Sequence, residues 1–175
     1  MPRRGAIRAA VIVAVLLLAV IGWYLGSPLF IRTTTFEEFP TPTTIVTTAP
    51  QPSGSAVAVS TGAIPTVTRR GDLQYVDSLH NGKGQVQLIR TGEQYVLRFE
   101  NVAITNAPDI HVYLSRDTGG KWTEATSLYL GALKATNGSF NYDVPRDTDP
   151  APYRSVVVWC RAFAVLVTWA ELSPA

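Results

Sequence analysis

Three residues of this 175-residue chain belong to the types that most often bind metals or act as nucleophiles: Cys160, His80 and His111. Cys160 is the only cysteine, so it cannot form a disulfide within the chain. A lone thiol can be a buried apolar residue, a haem ligand, a redox thiol or a link between two chains. Alternation along the stretch SVVVWC places Cys160 on an apolar face with Val156 and Val158. The residues alone therefore favour a buried, unreactive cysteine.

The two histidines lie in different settings. His80 is in the turn-like stretch SLHNGKG, where a surface loop histidine is expected. His111 is in IHVYLS, on the strand face opposite Ile110, Val112 and Leu114, where an outward-facing residue is expected. No pair of these ligands has a spacing such as C-x-x-C or H-x-x-x-H, and C-x-x-C-H, the signal for covalent haem, is absent. The sequence therefore predicts no metal site.

Carboxylates are grouped in the stretch DVPRDTDP, which contains Asp143, Asp147 and Asp149. Their order differs from that of an EF-hand loop, and Asp-Pro is common in turns. The chain also lacks G-x-S-x-G, H-E-x-x-H and a glycine-rich phosphate loop. Because no nucleophile, base or acid set is visible, we expect at most a redox component rather than an enzyme.

The N-terminal region predicts a membrane anchor. Residues 9–31 carry no charge, and about 20 apolar residues suffice to span a bilayer. The arginines before this run indicate that residues 1–8 stay in the cytoplasm. We expect residues 9–30 to span the lipid bilayer once, as an uncleaved signal anchor, with the rest of the chain outside the cytoplasm. A cleaved signal peptide would have a shorter apolar region, of about 7–15 residues, and a small-residue cleavage site.

Residues 31–68 form the next segment, and Thr, Pro, Ser and Ala dominate it. Such a composition buries too little apolar surface to offset the entropy of ordering, so we expect a linker. The first 32 residues contain four of the 15 Lys/Arg, whereas all 13 Asp/Glu follow them. The part outside the membrane is therefore slightly acidic, which argues against a nucleic-acid partner.

Residues 69–173 predict a β domain. The runs GQVQLIR and QYVLRFE alternate apolar and polar residues around a glycine turn, which is typical of a hairpin. Further strands are expected at 110–115 and 138–144, whereas 117–137 is expected to be a loop or a short helix. The stretches SVVVWC and AFAVLVTWA are too apolar to be solvated on either face, which favours central strands. About seven strands in about 100 residues indicate an all-β fold, an immunoglobulin-like β-sandwich.

Four stretches of this domain carry a family resemblance. They are His80 followed by Gly84 and a strand, then APDIHVYLS, LYLGALKATNGSFNYDVP and YRSVVVWCRAFAVLVTWAEL. The last is the most specific, with an aromatic–Cys step, a Phe-containing strand and Ala-x-Leu. Through these stretches residues 71–172 resemble the DM-thirteen domain family, a module found outside the membrane. The sequence departs from the family at Ala107, where Gly is frequent, and at 166–168, where Phe-Gly is frequent.

The resemblance implies a function in electron transfer. The family's hallmark cysteine, matched here by Cys160, is proposed to act as a bare thiol or to hold a group such as haem. Cys160 is therefore the candidate redox thiol, and Cys160 and His80 are candidate ligands of haem or another prosthetic group. A redox partner protein is implied, although the DOMON and cytochrome-b domains found beside some members do not occur in this chain. The alternative is a non-enzymatic cell-surface binding or structural domain in which Cys160 is a core residue.

Overall fold

The computed structural model describes residues 3–27, 31–41 and 63–175. Among these described residues there is one α-helix, α1, which covers Arg3–Gly26. The window Ile7–Tyr24 has a mean hydropathy of 2.3, and none of it is buried against the rest of the described chain. The helix is compatible with a single-pass membrane anchor or a signal sequence. The predicted span of 9–30 extends past the end of α1, and residues 28–30 lie outside the described residues.

The remainder of the described chain is built from strands, apart from a short 3₁₀ helix at Glu124–Thr126. The strands are β1 Thr34–Phe36, β2 Thr66–Asp72, β3 Gly82–Thr91, β4 Gln94–Ile104, β5 Ile110–Ser115, β6 Ser127–Ala132, β7 Asn137–Asp143, β8 Ser155–Cys160, β9 Val165–Glu171 and β10 Ser173–Pro174.

The strands form two sheets, which confirms the predicted all-β sandwich. One sheet has the order β1-β7-β4-β3-β2-β10 and the other the order β6-β5-β8-β9. Strands β3 and β4 form the predicted antiparallel hairpin, with Leu88 opposite Leu97. In the smaller sheet, β8 lies between β5 and β9, as its apolar sequence predicts. The central position predicted for AFAVLVTWA was wrong, because β9 is the last strand of this sheet. Its outer edge is covered instead by the segment after β2, where the Gln74 amide donates to the Trp169 carbonyl at 2.8 Å.

The core lies between the two sheets. Phe99 and Phe140 are fully buried neighbours in the larger sheet, with ring centroids 5.1 Å apart. Tyr142 packs edge-on against both, and its hydroxyl donates a hydrogen bond to the Ala132 carbonyl at 3.0 Å. Burial raises the pKa of Tyr142, so this phenol stays protonated. The smaller sheet contributes the inner faces of β5 and β8 to the same cluster.

Strand β1 lies within the segment expected to be a linker. It pairs in parallel with β7, and a side chain at Gly138 would collide with the Thr35 backbone. The buried Arg98 donates hydrogen bonds to the carbonyls of Glu37 and Glu38, and its guanidinium lies over the Phe39 ring. This segment therefore covers part of the outer face of the larger sheet. Of the expected linker, residues 42–62 lie outside the described residues.

The expectation of a loop or short helix across 117–137 was wrong in part. The 3₁₀ helix is present, but Ser127–Ala132 forms β6 and pairs antiparallel with β5. Its sequence, SLYLGA, has only a short alternation and includes a glycine, so the signal for a strand is weak. Pairing with β5 supplies the stabilisation that local propensity does not.

Candidate functional site

Cys160 is the last residue of β8, and its side chain is fully buried in the core between the sheets. It lies opposite Ile110 on one neighbouring strand and Val165 on the other. The thiol donates a hydrogen bond to the carbonyl of Pro108, with sulfur and oxygen 2.9 Å apart. The predicted alternation is therefore confirmed, because Val156 and Val158 share this buried cluster with Cys160. An enclosed thiol of this kind is unreactive while the fold stays closed.

An exposed turn directly follows Cys160 in the sequence. Residues 161–164 are all exposed, and Ala164 has a φ of 51°. The Arg161 amide donates to the Asp109 carbonyl at 3.0 Å, and the Ala164 amide donates to the Arg161 carbonyl at 3.3 Å. Two backbone hydrogen bonds thus hold this turn closed beside the buried sulfur.

The outer face of the same sheet carries a hydrogen-bonded polar group. His111 is 7% exposed and points away from the core, as predicted. Its Nε2 lies 2.5 Å from Asp109 Oδ1, and its Nδ1 lies 3.0 Å from the Tyr129 hydroxyl. Asp109 has a φ of 61°, the left-handed conformation that Asp tolerates better than most residues. Both ring nitrogens therefore have a partner, and the ring is fixed between a carboxylate and a phenol.

Arg161 joins this group from the turn after β8. Its Nε donates to the Tyr113 hydroxyl at 2.7 Å, and this hydrogen bond raises the pKa of Arg161. Its guanidinium lies 4.6 Å from the centroid of the Tyr129 ring. Contacts of this kind contribute about 0.5–1 kcal/mol at exposed sites. The guanidinium therefore ties the turn to the outer face of the sheet.

The loop between β5 and the 3₁₀ helix, residues 116–123, covers the other half of this outer face. Trp122 stacks on Trp159 with centroids 4.9 Å apart and meets the Tyr113 ring edge-on at 5.5 Å. The loop can approach closely at Gly120, where a Cβ atom would lie 2.7 Å from the side chains of Leu166 and Trp169. The loop therefore covers aromatic surface that would otherwise be exposed on the outer face of the sheet.

His80 lies in the turn before β3. Its hydrogen bonds are made within this turn, not with Cys160 or with the polar group around His111. Its Nδ1 is 2.8 Å from Asp77 Oδ2, and the amide of His80 donates to Asp77 Oδ1. The hydrogen bonds from His80 hold the pKa of the Asp77 carboxyl below its usual value. Within the part of the chain that the structure describes, no hydrogen bond or ion pair links His80 with Cys160.

Haem ligation by Cys160 does not fit this arrangement. A haem ligand needs an open face at its sulfur, whereas Cys160 has none and already donates to Pro108. A cavity of about 250 Å³ opens beside the neighbouring loop, lined by Thr33 and by residues of the segments 106–110 and 132–136. Cys160 does not line it, and pockets for small ligands usually hold about 300–1,000 Å³.

No metal centre is assembled from side chains in residues 3–27, 31–41 and 63–175. No group of three or more His, Cys, Asp or Glu residues there could hold an ion. His80 and His111 instead each hydrogen-bond a single carboxylate.

Comparison with known families identifies the domain. The family model described as electron transfer DM13 matches residues 74–172, more than half of the chain. The chain therefore belongs to the electron transfer DM13 family, which confirms the resemblance and indicates an electron-transfer module. Neither the curated proteins nor the solved structures contain a match.

The sequence predicts that His111 faces outward, but it does not predict the partners of His111. Tyr129 was missed because β6 was not predicted, and its register opposite Tyr113 exists only in the sheet. Trp122 lies within 117–137, for which the sequence predicts only a loop or a short helix. The alternation of β5 was a signal that some neighbour must cover the outer face.

Proposed function

We propose that this chain is a membrane-anchored electron-transfer module outside the cytoplasm and that Cys160 is its redox thiol. The family match supports the electron-transfer part. The observation that carries the role of Cys160 is its position, since the buried sulfur directly precedes an exposed turn held by two backbone hydrogen bonds. The thiol is protected in the closed fold and reacts when the turn 161–164 opens.

The chemistry of the open state is thiol–disulfide exchange. The Cys160 thiolate attacks a disulfide of a partner or of a small molecule, forms a mixed disulfide and releases the other sulfur as a thiolate. The step needs the proton of the thiol to leave to solvent, which the closed core prevents. Opening of the turn is therefore the controlling event, and local opening requires less free energy than global unfolding.

Thiol labelling of the full chain in detergent micelles tests this proposal. An aromatic disulfide reagent releases a coloured thiolate each time Cys160 reacts, and Cys160→Ala gives the background. We expect labelling in the native state at a rate above that of global unfolding. Arg161→Ala removes the tie to Tyr113 and should accelerate labelling several-fold, whereas Arg90→Ala, an exposed arginine bonded to a local carbonyl, should not.

A second function is supported by the same burial. If Cys160 reacts only at the rate of global unfolding, its thiol is a packing residue. The domain is then a non-enzymatic binding or structural module of the cell surface, with the aromatic outer face as its accessible feature. This function would be favoured if Arg161→Ala and the wild type were labelled at the same rate and if that rate equalled the rate of global unfolding at each urea concentration.

The orientation in the membrane is also part of the proposal. Residues 1–8 carry three arginines and no acidic residue, which favours a cytoplasmic N-terminus. A reporter enzyme that is active only outside the cytoplasm should work when fused at residue 60. An inactive reporter in a stably expressed fusion would reverse the topology.

A further inference from the structure

The outer face of the smaller sheet holds three side chains in the connectivity of a proton relay: Tyr129, His111 and Asp109. His111 lies on β5 and Tyr129 on β6, and Asp109 directly precedes β5. The phenol, the imidazole and the carboxylate form a line through two hydrogen bonds, of 3.0 Å and 2.5 Å. A proton donor, a base and a group that orients the base also occur together in catalytic triads.

The partners of His111 determine which nitrogen carries its proton. The Asp109 carboxylate can only accept, so the hydrogen between it and His111 is on Nε2. In the neutral ring Nδ1 is then the acceptor, and the Tyr129 hydroxyl must be the donor. The geometry therefore presents the phenolic proton of Tyr129 to a base that is ready to take it.

Arg161 determines how Tyr129 can lose an electron. Its guanidinium lies 4.6 Å from the centre of the Tyr129 ring. A second positive charge on that ring would be repelled at this distance. Loss of an electron is therefore favourable only if the proton leaves at the same time, and His111 is the acceptor within reach.

Tyr129 is also accessible and has aromatic neighbours. It is 46% exposed, whereas His111 behind it is 7% exposed. Its ring lies 5.4 Å from Tyr113, which contacts Trp122, which in turn stacks on Trp159. An oxidant can therefore meet Tyr129 at the surface, while water has little access to the base.

We propose that Tyr129, His111 and Asp109 form a proton-coupled redox site for one-electron oxidants, and this inference rests on the proposed electron-transfer function. The oxidant takes one electron from Tyr129, so its own oxidation state falls by one. The O–H bond of the phenol breaks and an N–H bond forms at His111 Nδ1. The products are a neutral tyrosyl radical and an imidazolium that stays hydrogen-bonded to the Asp109 carboxylate. Return of the electron reverses both transfers.

The experiment uses the full chain in detergent micelles with hexachloroiridate(IV) as the outer-sphere oxidant. All variants carry Cys160→Ala, which removes the thiol, and Tyr75→Phe, which removes a phenol that is 68% exposed. Oxidation is followed by stopped-flow absorbance, and the radical is identified by electron paramagnetic resonance after freeze-quenching. We expect a tyrosyl signal that disappears in Tyr129→Phe and persists in Tyr95→Phe, a control that lies on β4 of the larger sheet.

The positioning role of the relay has its own readout. His111→Gln keeps an acceptor for the phenol but cannot take its proton, and oxidation should slow by about 100-fold. Asp109→Asn removes the negative charge and can donate as well as accept a hydrogen bond, so the tautomer of His111 is no longer fixed and oxidation should slow in the same direction. The solvent deuterium isotope effect of the parent protein should be lost in both. Circular dichroism checks that each variant is folded, and either variant alone is sufficient for the test.

Two results would overturn the inference. One is an unchanged rate and isotope effect in a folded His111→Gln or Asp109→Asn variant. The other is a tyrosyl signal that survives Tyr129→Phe. Because Cys160 is absent throughout, a negative result here leaves the thiol proposal standing. Conversely, if Cys160 is not labelled in the native state, a tyrosyl signal that depends on Tyr129 still supports the redox site.

Discussion

Strands β5 and β8 present opposite environments on their two faces. The inner face holds Cys160 among apolar neighbours, with its thiol bonded to a backbone carbonyl. The outer face holds His111, hydrogen-bonded to a carboxylate and a phenol, beside the guanidinium of Arg161. The single cysteine therefore lies on the closed face, and the hydrogen-bonded His111, Asp109 and Tyr129 side chains lie on the outer one. A difference of one residue along a strand decides between the two.

The largest loss of stability should come from a substitution on the inner face of the smaller sheet. Val112 is fully buried, and Val112→Ala should lower the free energy of unfolding by about 2–3 kcal/mol, since the vacated volume is not refilled. His111→Gln, one residue away on the outer face, should cost about 1 kcal/mol. Urea unfolding of the full chain in detergent micelles measures both. A larger cost for His111→Gln would reverse the assignment of the two faces.

The cover of the outer face can be tested at two neighbouring glycines. Gly120 has a φ of 70° and packs against Leu166 and Trp169, so Gly120→Ala should cost about 2 kcal/mol through strain and collision. Gly119 has a similar φ of 68° but open space around it, so Gly119→Ala should cost about 1 kcal/mol. The difference measures how tightly the loop packs. Equal costs would mean that the loop contributes little to covering this face.

The burial of the Cys160 sulfur predicts a smaller loss of stability when this residue is replaced. Cys160→Ala should lower the free energy of unfolding by about 1 kcal/mol, because it removes one packed atom and a weak hydrogen bond. Cys160→Ser should cost a similar amount, since the hydroxyl can still donate to Pro108 but is desolvated. Urea unfolding with matched protein concentrations gives both values. A neutral Cys160→Ser would show that solvent already reaches this position.

The smallest effect concerns the covered outer face of the larger sheet. Partial burial raises the pKa of Glu37, but hydrogen bonds from Lys134 and the Asn141 amide outweigh it and hold the pKa below its usual value. The stabilisation is therefore present above the unfolded-state pKa and lost as the pH falls through the lowered one. Glu37→Gln should cost about 0.5 kcal/mol near neutral pH and nothing in acid.

Urea unfolding at neutral and acidic pH checks this prediction, with the exposed neighbour Glu38→Gln as the control. A cost for Glu37→Gln that stays constant into acid would place the stabilisation in packing rather than in the charge of the carboxylate.

Much of the architecture follows from local pattern. The alternation in 84–100 predicts the β3–β4 hairpin, and the alternation in β5 and β8 predicts which side chains face the core. The uncharged N-terminal run predicts the apolar helix. These features depend on side chains a few residues apart, whose directions are fixed by the backbone geometry of a strand or helix.

Other features required the assembled sheets. Strand β1 and strand β6 have weak signals of their own, and each is stabilised by an edge that another strand supplies. The sequence by itself determined the β-sandwich, the apolar N-terminal helix and the apolar face of Cys160. Only the tertiary structure decided that Tyr129 meets His111 and that the thiol meets Pro108. Those contacts join residues that are 18 and 52 positions apart, so they exist only once strand register and loop paths are set.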